Sequence, residues 1–401
     1  MIVLNNDFKT IQIALYFVAE DHPKFASMRY LLPRLMSAQT DSISSRQAMS
    51  QTLELLYGAY VRVRTERIAN LSVMSLVLTI VDPKIVQDPA LFEQSLTLFE
   101  NILKDHQRFD EAIFKDEIRM LVEYYQTLKD KKRAYASHRF NEGFFKNDHY
   151  GYPLTGTLKD LKKLKLLDLK TYYETMLQQD ARYLVINGHV DGLDLNMIER
   201  RLGPITKIQQ PLITSFRGKQ DIQEIIEVTD MKQAIVKMGF LLPVYRQDSL
   251  FNAAVLADTI LGGYPESRLF KIIREQEGLC YDISSAYDHY KGVLMISSGI
   301  DLTKVDHALQ AIKTIIHDLQ HQGILDDELH HAKKYYIHQI KSSLDSQSNL
   351  TKRAFIREMF QYEETIDERI EAIKNVTKDD IIKVLSMIDL DTIYILQGGA
   401  Q

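Results

Sequence analysis

Two stretches rich in β-branched and aromatic residues, 10–18 and 233–242, predict strands that lie about 220 residues apart in the chain. Each is followed by a polar loop and then by a stretch, 25–36 or 250–261, in which apolar residues recur at i, i+3 and i+4. That spacing predicts an amphipathic helix. The same order of elements therefore occurs twice.

The repeat continues along both halves of the chain. The next predicted elements, paired between the halves, are strands at 73–78 and 292–297, long helices at 91–103 and 304–319, further helices at 109–128 and 326–343, and closing strands at 183–188 and 392–398. Matched elements in matched order indicate a duplicated α/β unit.

The domain organisation follows from this repeat. We expect an N-terminal domain at 1–202, a homologous C-terminal domain at 228–401 and a linker at 203–227, where Gly203, Pro204, Pro211 and Gly218 interrupt the pattern. The predicted fold class is α+β.

Composition narrows the range of functions. The chain of 401 residues is 45% hydrophobic and 26% charged with a net charge of −5, which disfavours a nucleic-acid partner. The single cysteine, Cys280, excludes an intramolecular disulfide and a cysteine-based zinc site. The sequence has neither a signal-peptide pattern nor an apolar run long enough for a membrane span, so we predict a cytoplasmic protein without a membrane partner.

The most specific motif covers residues 261–281. It contains a Gly-Gly turn, the helix start Ser-Arg-Leu-Phe, and Arg-Glu-x-x-Gly-Leu-x-Tyr. This string resembles the signature of the pitrilysin/insulinase metallopeptidases, a resemblance that extends over essentially the whole chain. It implies two homologous α/β domains like those of mitochondrial processing peptidase and LuxS, each with a mixed, mainly antiparallel sheet packed with helices.

The resemblance also implies a role for Arg274 and Tyr281. In this family an Arg and a Tyr at that spacing hold bound peptide beside the zinc ion. The residue types suit the task, since Arg carries fixed donors and Tyr adds a phenolic donor, and both can bind a peptide carbonyl. Taken singly, Arg274 would be a surface helix residue and Tyr281 a half-buried strand residue. Cys280 is expected to be a small apolar strand residue.

Active members of the family carry His-x-x-Glu-His on the first helix of the N-terminal half, with a third ligand on a later helix. The corresponding positions here are Tyr30, Pro33 and Arg34. Arginine cannot bind zinc and proline has no carboxylate. The third-ligand position falls near Glu117, which alone cannot make a metal site. We therefore expect no zinc, no other cofactor and no catalysis by this chain alone.

Histidines elsewhere in the chain are further candidates for metal ligands. His317 and His321 have i, i+4 spacing on one predicted helix, and His330, His331 and His338 lie on the next. No cysteine or suitably spaced acid completes such a set, and chance clustering is expected among 12 histidines. We predict no metal site there.

Within the family, the segments 31–36, 55–59 and 129–139 are similar to a bacterial subgroup, the YfmF-like proteins. This resemblance implies a link to modification of elongation factor P and a zinc-bearing sister chain. The first hypothesis is a non-catalytic, peptide-binding subunit of a heterodimeric metallopeptidase, whose partner supplies His-x-x-Glu-His.

Two alternatives stay open. One is a peptide-binding or scaffold protein, which could be a homodimer, in elongation factor P modification or peptide maturation. Its motif would persist as architecture, because Gly263 and Gly278 need special backbone geometry. The other alternative is an independent peptidase with a rearranged metal site.

Overall fold

The computed structural model describes residues 1–208 and 221–399, which form two compact units. Unit 1 comprises Met1–Gln126, Tyr152–Leu212 and Ser343–Glu363, and unit 2 comprises Thr127–Gly151, Ile213–Ser342 and Glu364–Gln401. The ten strands of the described residues are β1 Ile2–Asn5, β2 Thr10–Glu20, β3 Tyr60–Ile68, β4 Leu71–Val81, β5 Ala181–Gly188, β6 Gln223–Val228, β7 Gln233–Leu241, β8 Cys280–Asp288, β9 Val293–Asp301 and β10 Asp389–Gln397.

Helices cover much of the remaining chain. The α-helices of the described ranges are α1 Ala26–Ala38, α2 Arg46–Leu55, α3 Pro83–Val86, α4 Leu91–Lys104, α5 Glu111–Gln126, α6 Lys132–Phe144, α7 Leu158–Lys163, α8 Leu166–Gln179, α9 Leu195–Leu202, α10 Phe251–Asp258, α11 Val305–His321, α12 Asp326–Ser343, α13 Gln347–Phe360, α14 Ile366–Asn375 and α15 Lys378–Leu385. Two π-helical segments, Thr259–Gly263 and Phe270–Gln276, follow α10.

The two sheets have the same topology. Within the described ranges, the strand order is β1-β5-β2-β4-β3 in unit 1 and β6-β10-β7-β9-β8 in unit 2. The edge pairs β1–β5 and β6–β10 are parallel, and the other neighbours are antiparallel. The predicted fold class, two homologous units with mixed and mainly antiparallel sheets, is confirmed.

Each sheet is covered on both faces, which explains why its central strands are apolar on both sides. In unit 1, alternate residues of β2, Ile11, Ile13 and Leu15, are buried in a core that includes α1, α4 and α8. The other face of β2 carries Tyr16, whose ring stacks on Phe355 of α13 with the centroids 3.9 Å apart. The helix α13 comes from the C-terminal half of the sequence.

Unit 2 receives a helix from the N-terminal half in return. Phe140 and Phe144 of α6 pack with Tyr394 of β10 in a small separate core. A Cβ at Gly239 of β7 would lie 2.6 Å from the Phe144 ring, so this close approach requires glycine. Helix α6, from the N-terminal half of the sequence, therefore belongs to unit 2, and helix α13, from the C-terminal half, belongs to unit 1. The contiguous domains 1–202 and 228–401 stay a prediction.

The predicted linker 203–227 is only partly described. Residues 209–220, with Pro211 and Gly218, lie outside the described residues. Residues 223–227 belong to the edge strand β6 rather than to a linker. The side chains of β6 alternate between half-buried and exposed, but the sequence Gln-Glu-Ile-Ile-Glu-Val does not alternate between polar and apolar residues, so it gave no strand signal. Among the described helices, none is both long and apolar enough to cross a membrane.

Candidate functional site

The three residues that replace the zinc motif lie on α1 of unit 1. The guanidinium carbon of Arg34 lies 3.6 Å from the centroid of the Tyr30 ring, and Arg34 Nη1 also donates to the Tyr30 carbonyl oxygen. Pro33 is buried inside the helix. Both side chains at the histidine positions are therefore engaged with each other.

Pro33 does not break α1, although proline has no N–H to donate to the carbonyl four residues earlier. That carbonyl belongs to Arg29, and it accepts a hydrogen bond of 2.9 Å from Thr65 Oγ1 of β3. Thr65 is buried, so the bond replaces the missing helix bond away from water. The helix tolerates its internal proline because a neighbouring strand supplies the donor.

The side chain of Arg29 holds the same helix to the sheet. It is 2% exposed, and its guanidinium donates to Ser72, Tyr172, Asp180 and the carbonyl of Phe17. A buried cation is tolerated only when it is paired and hydrogen-bonded in this way. The sequence contained no signal for this network, because an arginine one position from an apolar stripe is typical of a solvated helix edge.

The third-ligand position is also engaged. Glu117 of α5 forms an ion pair with Arg46 of α2, with 2.6 Å between Arg46 Nη2 and Glu117 Oε1. At the two histidine positions, the guanidinium of Arg34 has no lone pair for zinc and the phenol of Tyr30 is not among its usual ligands, and Pro33 stands where the motif has its general base. The residues present do not fit the family's zinc ion.

The histidines predicted not to bind metal lie on α11 and α12. The rings of His317 and His321 stack with their centroids 4.0 Å apart. His330, His331 and His338 are exposed. Within residues 1–208 and 221–399, no group of three or more His, Cys, Asp or Glu side chains is placed to hold a metal ion.

The motif of unit 2 begins at a tight turn against β8. A Cβ at Gly262 would lie 2.7 Å from both the backbone nitrogen and Oγ of Ser285, so glycine is needed for this contact. Gly278 has φ +58°, the left-handed conformation that favours glycine. Gly263 does not have a positive φ, so the special backbone expected at that position is found at Gly278 alone.

A buried carboxyl anchors this turn. Asp258, at the end of α10, accepts a hydrogen bond of 2.5 Å from Ser285 Oγ at its Oδ1. Burial raises the pKa of Asp258 to about 6, and the hydrogen bond from Ser285 opposes that shift. The contact ties the helical part of the motif to the strand that carries Tyr281.

The two arginines of the motif have different surroundings. Arg268 pairs with both carboxylate oxygens of Glu328 at 2.6 and 2.8 Å and donates to the carbonyl of Gly323. Arg274, on the π-helical segment Phe270–Gln276, is exposed and lies over the Phe270 ring, 4.5 Å from its centroid. No described residue forms a hydrogen bond or an ion pair with the Arg274 guanidinium. Arg268 stabilises the fold through its bonds to Glu328 and Gly323, whereas the N–H donors of Arg274 are available to a ligand.

Tyr281 projects from an irregularity in β8. Cys280 pairs with Ile300 and Asp282 pairs with Gly299, so Tyr281 is the extra residue of a β-bulge. Bulges re-aim side chains, and the Tyr281 side chain is 72% exposed. Its neighbour Cys280 is buried in the core of unit 2, as expected for a small apolar strand residue, and burial raises the pKa of its thiol.

Arg274 and Tyr281 lie on adjoining elements. The backbone N–H of Leu279 donates to the Ile273 carbonyl at 2.9 Å, which fixes the start of β8 against the π-helical segment. No hydrogen bond joins the two side chains in the described part of the chain. The arrangement leaves a guanidinium and a phenol on one exposed stretch of unit 2, each able to donate to a peptide carbonyl.

The polar string 129–139, used above for the subgroup resemblance, has a structural role. Arg133 of α6 forms a bidentate ion pair with Asp282, both bonds being 2.7 Å. Tyr135 and Arg139 donate to Glu227 of β6 at 2.8 and 2.7 Å. The string holds the exchanged helix to the sheet of unit 2, next to Tyr281, and sequence reasoning did not find that role.

Comparisons with known proteins agree with this geometry. Residues 163–336 match the family model described as the peptidase M16 inactive domain. The Bacillus subtilis protein named "Probable inactive metalloprotease YmfF" is 25% identical over 99% of this chain and 95% of its own length. This relative carries the name YmfF, whereas the sequence resemblance was to a subgroup named YfmF-like.

Two further proteins extend the comparison. The Bacillus subtilis protein named "Uncharacterized zinc protease YmxG" is 22% identical over 72% of this chain and 68% of its own length. The crystal structure of a conserved protein from Enterococcus faecalis V583 has a TM-score of 0.88 and 24% identity, covering 100% of this chain and 96% of that one. The structural match shows that the fold is shared along the whole chain.

Proposed function

We propose that this chain, whose residues 163–336 match the peptidase M16 inactive domain, is a non-catalytic homologue of zinc peptidases and acts as the peptide-binding subunit of a two-chain metallopeptidase. The partner would carry His-x-x-Glu-His and supply the zinc ion, the attacking water and the general base. Arg274 and Tyr281 of this chain would hold the peptide by its carbonyl groups.

The observation that carries the proposal is the availability of Arg274. The neighbouring Arg268 forms an ion pair with Glu328. The Arg274 guanidinium, by contrast, is exposed and stacked on Phe270, and it forms no hydrogen bond or ion pair with any described residue. A guanidinium held over an aromatic ring is partly preorganised, so less side-chain entropy is lost when it binds. Each hydrogen bond from a charged donor to a peptide could contribute about 1.5–3 kcal/mol.

A second observation supports the partner. One organism, Bacillus subtilis, has both a relative named an inactive metalloprotease and a relative named a zinc protease. The loss of the metal positions at Tyr30 and Arg34 together with an available Arg274 is the pattern expected when two chains divide one site. The homodimeric scaffold, the cytoplasmic location and the link to elongation factor P modification stay predictions.

The test is reconstitution with the zinc-bearing relative encoded in the same genome. Peptide cleavage is measured for this chain alone, for the relative alone and for the two mixed at equal concentrations, with zinc determined in each sample. We expect no cleavage and no stoichiometric zinc for this chain, and a rise in the activity of the relative on mixing. Cleavage by this chain alone, or mixing without any effect on cleavage and no complex on gel filtration, would refute the proposal.

A further inference from the structure

A cleft of about 190 Å³ lies in unit 1, on the face of the sheet that carries α13. Its lining side chains come from β2, β3, β4 and α13. Neighbouring strands place them in rows, because Gln12 lies opposite Thr79 and Thr79 opposite Tyr60. We name it the α13 cleft and define it by Arg62, Arg64, Glu66, Thr79, Ser348 and Lys352.

The charges of the α13 cleft do not balance. Lys352 Nζ lies 2.7 Å from Glu66, and Arg64 lies 3.6 Å from the same carboxylate while its side chain is 63% exposed. Arg62 is exposed, and no described residue forms a hydrogen bond or an ion pair with it. Three cations and one carboxylate leave two positive charges in excess. The cleft therefore has a potential that attracts an anion.

The first turn of α13 adds to this potential. The helix has 14 residues, and Ser348 and Asn349 of its first turn line the cleft. Ser346 Oγ accepts the N–H of Asn349, and the other N–H groups of a helix N-terminus carry partial positive charge that favours a bound anion. The helix end and the arginines of β3 thus act in the same direction.

A buried hydroxyl points to a ligand independently of these charges. Thr79 is 2% exposed, its Oγ1 has no hydrogen-bond partner, and it lines the cleft. The adjacent Gln12 is already engaged, because its amide oxygen accepts from Thr351 and its nitrogen donates to Ser348. An unpaired buried polar group destabilises the fold, so a ligand atom that bonds to Thr79 would remove that cost.

The size of the α13 cleft limits its ligand. Clefts that bind drug-sized ligands usually measure about 300–1,000 Å³, so this one admits a side chain rather than a nucleotide. Building on the peptide-binding function proposed above, we propose that the α13 cleft binds the carboxylate of a glutamate or aspartate in a peptide. Arg62 and Arg64 donate to the carboxylate, and the Thr79 hydroxyl donates from the floor.

The test uses the intact chain and two fluorescein-labelled peptides of the sequence Ala-Ala-Glu-Glu-Ala-Ala and Ala-Ala-Gln-Gln-Ala-Ala, with amidated C-termini. Fluorescence anisotropy at low salt should show about tenfold tighter binding of the Glu peptide, since charge-assisted bonds to carboxylate exceed those to an amide. R62Q/R64Q should remove this preference, and T79V should weaken it. The matched control is R200Q, which removes an exposed arginine of α9 in the same unit.

The outcomes separate this inference from the proposed function. Equal affinity for the two peptides, or a preference that survives in R62Q/R64Q, would overturn it. Binding of inorganic phosphate without binding of the Glu peptide would also overturn it, because the cleft would then be a small-anion site. Thermal unfolding curves check that each variant is folded. If R62Q/R64Q is unfolded, the same binding measurements are made with the single variant R62Q. The assay needs no partner, so failed reconstitution leaves it interpretable, and R274A should keep the preference for glutamate.

Discussion

Arg34 stacks on Tyr30, with its guanidinium carbon 3.6 Å from the ring centroid, at the two positions that the sequence resemblance aligns with the zinc-binding histidines of active peptidases. The cation and the aromatic face stabilise each other, whereas two imidazoles would direct lone pairs towards a metal. The metal position has therefore become a structural contact within one helix.

This contact predicts a measurable coupling. In a double-mutant cycle with Tyr30→Leu and Arg34→Ala, urea unfolding should show a coupling free energy of about 0.5–1 kcal/mol, the usual value for a partly exposed cation–π pair. The bond from Arg34 to the backbone carbonyl of residue 30 does not enter the coupling, because the leucine variant keeps that carbonyl. A coupling indistinguishable from zero would contradict the stacking.

The proline inside α1 predicts a second coupling. Thr65→Val should destabilise the chain by about 1–3 kcal/mol, because the buried Arg29 carbonyl loses its donor. In a Pro33→Ala background the cost should be smaller, because the alanine introduced there has an N–H that can donate to the same carbonyl. Urea unfolding of the four proteins measures both costs. Equal costs in the two backgrounds would show that Thr65 does not substitute for the missing helix bond.

Asp258 predicts a dependence of stability on pH. Its pKa is about 6 in the folded chain against an ordinary value of 3.8, so the folded state binds more protons between these two pH values. The contribution of Asp258 to the free energy of unfolding should therefore fall as the pH rises from about 4 to about 6, and stay level above that. Two pKa units correspond to about 3 kcal/mol.

The comparison of Asp258→Asn with the wild type isolates this effect. Unfolding by urea at pH 5 and pH 7.5 should show that the wild type loses stability relative to the variant at the higher pH. The exposed Asp306→Asn is the matched control and should follow the wild type at both pH values. If Asp258→Asn had the same pH profile as the wild type, the raised pKa would be wrong.

Substitution of the two arginines of the motif should affect stability to different extents. Arg268→Ala removes the ion pair with Glu328, whose carboxylate keeps only the Leu325 N–H, and removes the donor to the Gly323 carbonyl, so it should lower the stability by about 1–3 kcal/mol. Arg274→Ala removes a side chain whose polar atoms have no partner in the described chain, so its effect should stay within about 0.5 kcal/mol. Thermal unfolding of both variants is sufficient. A comparable loss in Arg274→Ala would mean that Arg274 is also structural.

Much of the fold was predictable because the repeat is visible in hydrophobic periodicity. The strands β2, β4, β7 and β9 and the helices α4 and α12 lie where apolar patterns predicted them. The short edge strands β1 and β6 escaped prediction, since four to six residues carry little periodic signal. The exchange of α6 and α13 also escaped, because periodicity shows that a helix has an apolar face but not which sheet covers it.

The candidate site was predictable only in part. The residue types at 30, 33 and 34 were sufficient to predict that the family's zinc motif is missing, because arginine and proline cannot replace histidine and glutamate. The partners that now engage these positions, such as Thr65 for the Arg29 carbonyl, depend on contacts distant in sequence. The exposure of Tyr281 depends on a β-bulge, and the residue types of β8 do not predict a bulge at this position.

The most direct test of the account is the kinetics of the reconstituted pair with Arg274→Ala or Tyr281→Phe in this chain. Arg274→Ala should lower kcat/KM for peptide cleavage about tenfold to a hundredfold, the loss expected for one hydrogen bond from a charged donor, and Tyr281→Phe about twofold to tenfold, the loss for a neutral phenolic donor. Neither variant should change the zinc content. The control is Lys271→Ala, an exposed residue of the same π-helical segment. Unchanged kcat/KM in both variants would contradict a peptide-binding role for this chain.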